Sequence, residues 1–85
     1  MRDLERLARA RPGGAPERPI VVESPAQVEP MVDATACPLC ESGLRLEEHR
    51  SETIGGARLR VASVRCARCG VRRALYFRLA ETPLH

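Results

Sequence analysis

Residues 37–40 read Cys37-Pro38-Leu39-Cys40 and residues 66–70 read Cys66-Ala67-Arg68-Cys69-Gly70, and these two short stretches decide how the rest of the chain is read. Two residues between paired cysteines let one tight turn aim both sulfurs at a common point. Pro38 fixes φ inside the first turn, and Gly70 can take the left-handed conformation that ends the second. Two such pairs supply four soft donors, the set that a tetrahedral ion takes with Zn–S bonds of about 2.3 Å. Cys37, Cys40, Cys66 and Cys69 are therefore the expected ligands of one structural zinc ion per chain. Twenty-five residues separate Cys40 from Cys66, more than the roughly 15–20 of the usual paired spacing. A hairpin with longer arms absorbs the excess.

The residues between the pairs read as that hairpin. Leu44 and Leu46 alternate with Arg45 and Glu47, the period-two signal of a half-buried strand. Gly55-Gly56 offers the positive φ values of a two-residue primed turn. Beyond it, Leu59 and Val61 alternate with Arg58 and Arg60 before the phase shifts to Val64, which predicts a bulge near Ala62 or Ser63. After Gly70, Val71, Arg73, Leu75, Phe77 and Leu79 alternate with Arg72, Ala74, Tyr76 and Arg78, a third strand that Pro83 ends.

A Cys-Pro-x-Cys knuckle, a β-hairpin, a Cys-x-x-Cys-Gly knuckle and a third strand, spanning about residues 36–80, resemble the zinc-ribbon superfamily. The resemblance implies a small metal-stabilised β fold with a three-stranded antiparallel sheet, and its ligand role carries onto Cys37, Cys40, Cys66 and Cys69 alone. One departure is local. The first knuckle continues Glu41-Ser42-Gly43, so the glycine often found directly after the pair comes two residues late.

Residues 1–34 read differently. Asp3 could cap a short helix with Leu4, Leu7 and Ala8 on one face, stopped by Pro12-Gly13-Gly14. About eight residues are too few for an isolated helix, since even Ala-rich peptides need about 12–15. Residues 11–19 have linker composition, and Ile20-Val21-Val22, although apolar and β-branched, is followed closely by Pro25 and Pro30. The expected division is a largely flexible, Pro/Gly-rich arm over 1–34, a zinc ribbon over 35–81 and a tail over 82–85.

Composition supports a metal-dependent fold. Eighty-five residues make one domain that buries only about 60% of its unfolded surface. Tyr76 and Phe77 are the only aromatic residues, so apolar burial alone is marginal. Two local disulfides or a redox thiol pair are the alternatives to a metal. The first residues alternate charge with apolar side chains and contain no secretory apolar core, which places the protein in the reducing cytoplasm and favours the metal. No run reaches membrane-spanning length. Iron in a rubredoxin-like electron carrier is the other metal option, because S₄ geometry suits both. A complete set of four sulfurs closes the coordination sphere and leaves no open position for catalytic water, and there is neither a phosphate loop nor a paired acid and base. The chain is read as non-enzymatic.

Formal charge is +3, and four thiolates with one Zn²⁺ reduce it to about +1. Residues 1–35 carry five arginines against six acids, whereas residues 36–85 carry nine against five. Every positive side chain is an arginine, a planar fork suited to phosphate or carboxylate. The outward face of the third strand, Arg72, Ala74, Tyr76 and Arg78, sets an aromatic ring between guanidiniums, and Arg58, Arg60, Arg65 and Arg68 extend it. Such a surface could stack a base and hold phosphates of nucleic acid or of a nucleoprotein complex such as the transcription or translation machinery. Alternatively it is a solvated face whose arginines pair with Glu47, Glu48 and Glu52. The second functional reading is a protein-interaction adaptor, docked on a partner through the Leu4/Leu7 helix or the Ile20-Val21-Val22 strip. His49 is read as a solvated strand histidine.

Overall fold

Gly55 and Gly56 take φ of 57° and 82°, the double left-handed turn that matches the twist of paired strands, and the longest elements grow from it. In the computed structural model, which describes residue 7 and residues 10–80, β2 (Leu44–Ile54) and β3 (Ala57–Cys66) pair antiparallel from Ile54↔Ala57 to Leu44↔Cys66. β4 (Arg72–Leu79) returns along the other side of β3 from Arg65↔Arg72 to Arg60↔Phe77. The short helix expected over Leu4, Leu7 and Ala8 falls almost wholly outside the described residues.

The sheet is not the expected three-stranded antiparallel one. A fourth strand, β1 (Ile20–Val22), pairs parallel with β4 in the register Ile20↔Phe77 to Val22↔Leu79, giving a mixed sheet in the order β1-β4-β3-β2. This strand comes from the segment expected to be a flexible arm. What holds it is burial: Phe77 is fully buried, and Ile20 and Val22 pack on its side of the sheet, whereas Val21 points away and is 52% exposed. Gly13 anchors the approach. Its carbonyl accepts the Tyr76 N–H at 2.9 Å, and a Cβ there would sit 2.8 Å from Ile20 Cδ1 at a φ of +80°, so a side chain at this position would be strained.

The elements around the prolines are short, as their spacing leads one to expect. Pro25 opens a single 3₁₀ turn (Pro25–Gln27), and Pro30 lies in the first turn of α1 (Val28–Asp33). There the amide that proline lacks has no intrahelical acceptor to lose. Val28 and Val32, four apart and therefore on one face, are fully buried against the sheet. The core face thus joins Val22, Leu44, Ala62, Val64, Leu75 and Phe77 to the helix and to Cys37 and Cys66.

The expected bulge exists on the other strand. The register of β2 against β3 shifts between Leu46 and Glu48, leaving Glu47 as the extra residue opposite Ser63 and Val64, while β3 keeps one unbroken register with β4. β3 is bonded on both sides and β2 is an edge, so the irregularity sits where one ladder is disturbed. The phase shift in β3 reflects burial on both faces. Ala62 and Val64 lie in the main core, and Leu59 and Val61, on the reverse face, are also buried.

Because β1 and α1 complete the core, deleting residues 1–34 should abolish cooperative unfolding even of metal-loaded protein, measured by far-UV circular dichroism on heating. Val21→Ser, on the exposed side, should change stability by less than about 0.5 kcal/mol.

Candidate metal centre

Each cysteine pair sits on a knuckle with the same backbone wiring. The Cys37 N–H donates to the Ser42 carbonyl at 2.7 Å and the Glu41 N–H returns to the Cys37 carbonyl at 2.8 Å. In the second knuckle Cys66 N–H donates to Val71 at 2.9 Å and Gly70 N–H to Cys66 at 3.1 Å. The flanking pairs correspond as well, Ala36↔Gly43 for the first and Arg65↔Arg72 for the second. Each closing residue needs a left-handed backbone, which Gly70 takes at φ 78° and Glu41 at φ 64°. The first knuckle therefore keeps its geometry without the glycine, and Glu41 is the one positive-φ residue other than glycine among the described residues.

These knuckles bring the four sulfurs together. Cys40 Sγ lies 3.3 Å from Cys66 Sγ, Cys37 Sγ lies 3.8 Å from Cys69 Sγ, and all four are within 4.8 Å of one another. Both short separations cross between knuckles. A tetrahedron with bonds of about 2.3 Å has edges of about 3.8 Å, so the cluster fits one four-coordinate ion. No pair is joined as a disulfide: all four are free thiols, Cys37 and Cys66 buried, Cys40 half-buried and Cys69 exposed. The cluster could hold one metal ion, with its open side at Cys69.

The surroundings favour anionic sulfur. Leu39 N–H points to Cys37 Sγ, and the N–H groups of Arg68 and Cys69 both point to Cys66 Sγ, each at 3.4 Å. The bond from the Cys69 amide chiefly, with that from Arg68, outweighs burial and lowers the Cys66 thiol to about 6. At Cys69 the Val71 N–H favours the thiolate, yet burial and hydrogen bonds to the other three sulfurs prevail and push it up to about 11. One sulfur is thus ionised at neutral pH while another retains its proton until a cation replaces it.

The other expected site residues are not one surface. Arg58 and Arg60 lie on the core face of β3, Arg60 beside the buried Phe77, whereas Arg65, Arg72 and Tyr76 lie on the reverse face, as the pairs Arg60↔Phe77, Arg65↔Arg72 and Val61↔Tyr76 require. Arg68 is exposed on the second knuckle, and Arg78 stands at the end of β4 opposite Val21. Glu47, the bulged residue, bridges Arg65 at 3.5 Å and Arg72 at 3.6 Å. Glu48 and Glu52 both pair instead with Arg50, at 2.8 and 2.6 Å. His49 is half-buried, and its Nε2 accepts from Arg60 Nε at 3.1 Å. Sequence reasoning missed the amide donors to sulfur and the left-handed Glu41. The late glycine at Gly43 was the available signal for the second of these.

In comparisons with protein-family models, curated proteins and solved structures, no match to this chain was found. The site therefore rests on its own geometry.

Two outcomes check it. A left-handed L-residue costs about 1–2 kcal/mol, so Glu41→Gly should raise the stability of the metal-loaded protein by about 0.5–1 kcal/mol after allowing for the looser unfolded chain. Gly70→Ala, whose Cβ meets nothing within 4 Å, should lower it by about 1 kcal/mol; denaturant titration measures both. The stabilisation from the depressed Cys66 thiol is present above its ordinary value of 9.0 and lost as pH falls through about 6. Because a metal ion must displace the thiol protons, metal should be lost progressively to a chromophoric chelator as pH is lowered, and retention that does not depend on pH would contradict thiolate ligation.

Proposed function

We propose that this chain is a zinc ribbon: a non-enzymatic module of the cytoplasm in which one structural zinc holds two knuckles together and an arginine-bearing surface contacts nucleic acid or a nucleoprotein complex. The observation that carries the metal reading is the convergence of four free sulfurs on one point, with amide N–H groups directed at two of them. Zinc over iron is favoured by the surroundings of the site, which lack the aromatic cluster of a rubredoxin-like carrier. A structural role follows from magnitude. Zinc binding to finger-sized peptides contributes an apparent 10–16 kcal/mol, comparable to the whole stability of a domain.

The nucleic-acid reading is supported by the distribution of charge. Among the described residues Arg58, Arg68 and Arg78 have no carboxylate within bonding distance, and Arg65 and Arg72 share the single carboxylate of Glu47. Surface pairs of this kind are worth about 0–1 kcal/mol, so phosphate competes readily with Glu47 for both guanidiniums. Of the two elements that the adaptor reading offers, the Ile20-Val21-Val22 strip has Ile20 and Val22 packed on this protein's own core, and the Leu4/Leu7 helix falls almost wholly outside the described residues. No helix among the described residues is long and apolar enough to cross a membrane.

Native mass spectrometry of protein purified without added metal should show one zinc per chain; one iron in its place would make the chain an electron carrier. A salt titration of binding to single-stranded RNA, single-stranded DNA and duplex DNA should show affinity that falls steeply as salt rises. Absence of binding at low salt would remove the nucleic-acid part and leave the zinc module.

A further inference from the structure

β4 stays beside β3 only as far as Phe77↔Arg60; Arg78 and Leu79 continue with Val21 and Val22 of β1 as their only strand partners. β3 meanwhile continues past Arg60 through Leu59 and Arg58 to the turn with β2 alone beside it. The sheet therefore splits at this end. The split is an open groove of about 560 Å³, with Ser51, Arg58 and Arg60 on the hairpin side and Arg78 and Leu79 on the β4 side. Its distance from the cysteines is set by strand length: six residues from Cys66 to Arg60 span about 20 Å.

Three arginine residues line this groove, Arg58 and Arg60 on the core face of β3 and Arg78 on the reverse face of β4, and no acidic residue does. Arg50, Arg65 and Arg72 each have a carboxylate partner, whereas Arg58 and Arg78 have none among the described residues. Arg60, the least exposed of the three, is held by a neutral group: its Nε donates to His49 Nε2. Burial first, and the Arg60 charge second, keep His49 below its ordinary value of 6.5, so this nitrogen remains an acceptor at neutral pH. The bond occupies one N–H of Arg60 and leaves the four terminal ones available. Three like charges around one opening repel each other, and an anion seated between them turns that repulsion into attraction.

We propose that the split end of the sheet is a phosphate-binding groove for single-stranded nucleic acid, with Arg58 and Arg78 gripping a phosphodiester from opposite walls and Arg60, oriented by His49, completing the seat. This rests on the nucleic-acid reading above and assigns it a place. The groove has the volume of an ordinary small-ligand site, suited to one sugar-phosphate unit. A single strand can lay such a unit into it, whereas the convex surface of a duplex meets only the rims. Tyr76 is not among the residues that line the groove, so grip here comes from the backbone of the strand and is tolerant of base sequence.

The test is fluorescence anisotropy with zinc-loaded full chain and a dye-labelled single-stranded oligonucleotide of about 12 nucleotides. Arg58→Ala/Arg78→Ala is compared with Arg45→Ala/Arg18→Ala, which removes the same charge from exposed positions outside the groove. Zinc content and far-UV circular dichroism establish that each variant is folded. The groove pair should weaken binding about tenfold and reduce the magnitude of the salt slope by about 0.7, the value for one phosphate contact on a single strand. The control pair should change affinity less than about twofold. Equal losses from both pairs would mean that net charge alone is sensed and would overturn the groove. Wild-type binding unaffected by the groove pair would overturn it while leaving the nucleic-acid reading intact, and absence of wild-type binding at low salt would overturn both.

Discussion

Four sulfur atoms occupy a space in which none is more than 4.8 Å from another, and two of them belong to buried residues. Four bare thiolates there would be untenable. At about 4 Å and an effective dielectric constant near 20, each of the six pairs repels by about 4 kcal/mol, so the sum exceeds the 5–15 kcal/mol that holds a typical domain together. Either protons or a cation must compensate. The low Cys66 thiol and the high Cys69 thiol are the proton solution, and one divalent ion is the solution that satisfies all four sulfurs together. The wiring of both knuckles, down to the left-handed backbone at Glu41 and Gly70, serves that convergence.

The cysteine cluster is also where the apolar core ends. Cys37 and Cys66 are core residues in their own right, packed with Leu44 and Val64, so the four-sulfur site and the hydrophobic cluster are two ends of one assembly. Away from the knuckles the burden falls on Phe77, covered on one side by β1 and continuous with the valines of α1. A chain with two aromatic residues has no spare apolar area. Recruiting Ile20, Val22, Val28 and Val32 from its N-terminal third is how the core face is closed.

Local patterns revealed local structure well: the paired cysteines, the Gly55-Gly56 turn and the alternation in Arg72–Leu79 each specify their own geometry within a few residues. What they could not show was long-range commitment. Ile20-Val21-Val22 has the same composition whether it hangs free or pairs with a strand more than fifty residues later, and the difference lies in Phe77 and the contact at Gly13. Proline near a strand reads as a breaker, yet Pro25 and Pro30 fall where turns begin. The Val28/Val32 spacing of four was the signal of a helix that the prolines masked. The shifted phase in β3 was legible and its cause was not, since a central strand with apolar residues on both faces looks on paper like one with a bulge. The arginines, finally, were countable in sequence, but only the register of the strands distributes them over two faces and an end.

The parallel pairing of β1 with β4 sets the order in which the protein can complete itself as it leaves the ribosome. Ile20 is made first and its partner Phe77 last, with the whole β2–β3 hairpin between them. At roughly 5–20 residues per second the N-terminal strand waits about 3–11 s for its neighbour. Until then Ile20 and Val22 lack the strand they pair with, whereas Val28 and Val32 can pack on β2 and β3 as soon as the hairpin is made, and both cysteine pairs have been translated before the sheet can close.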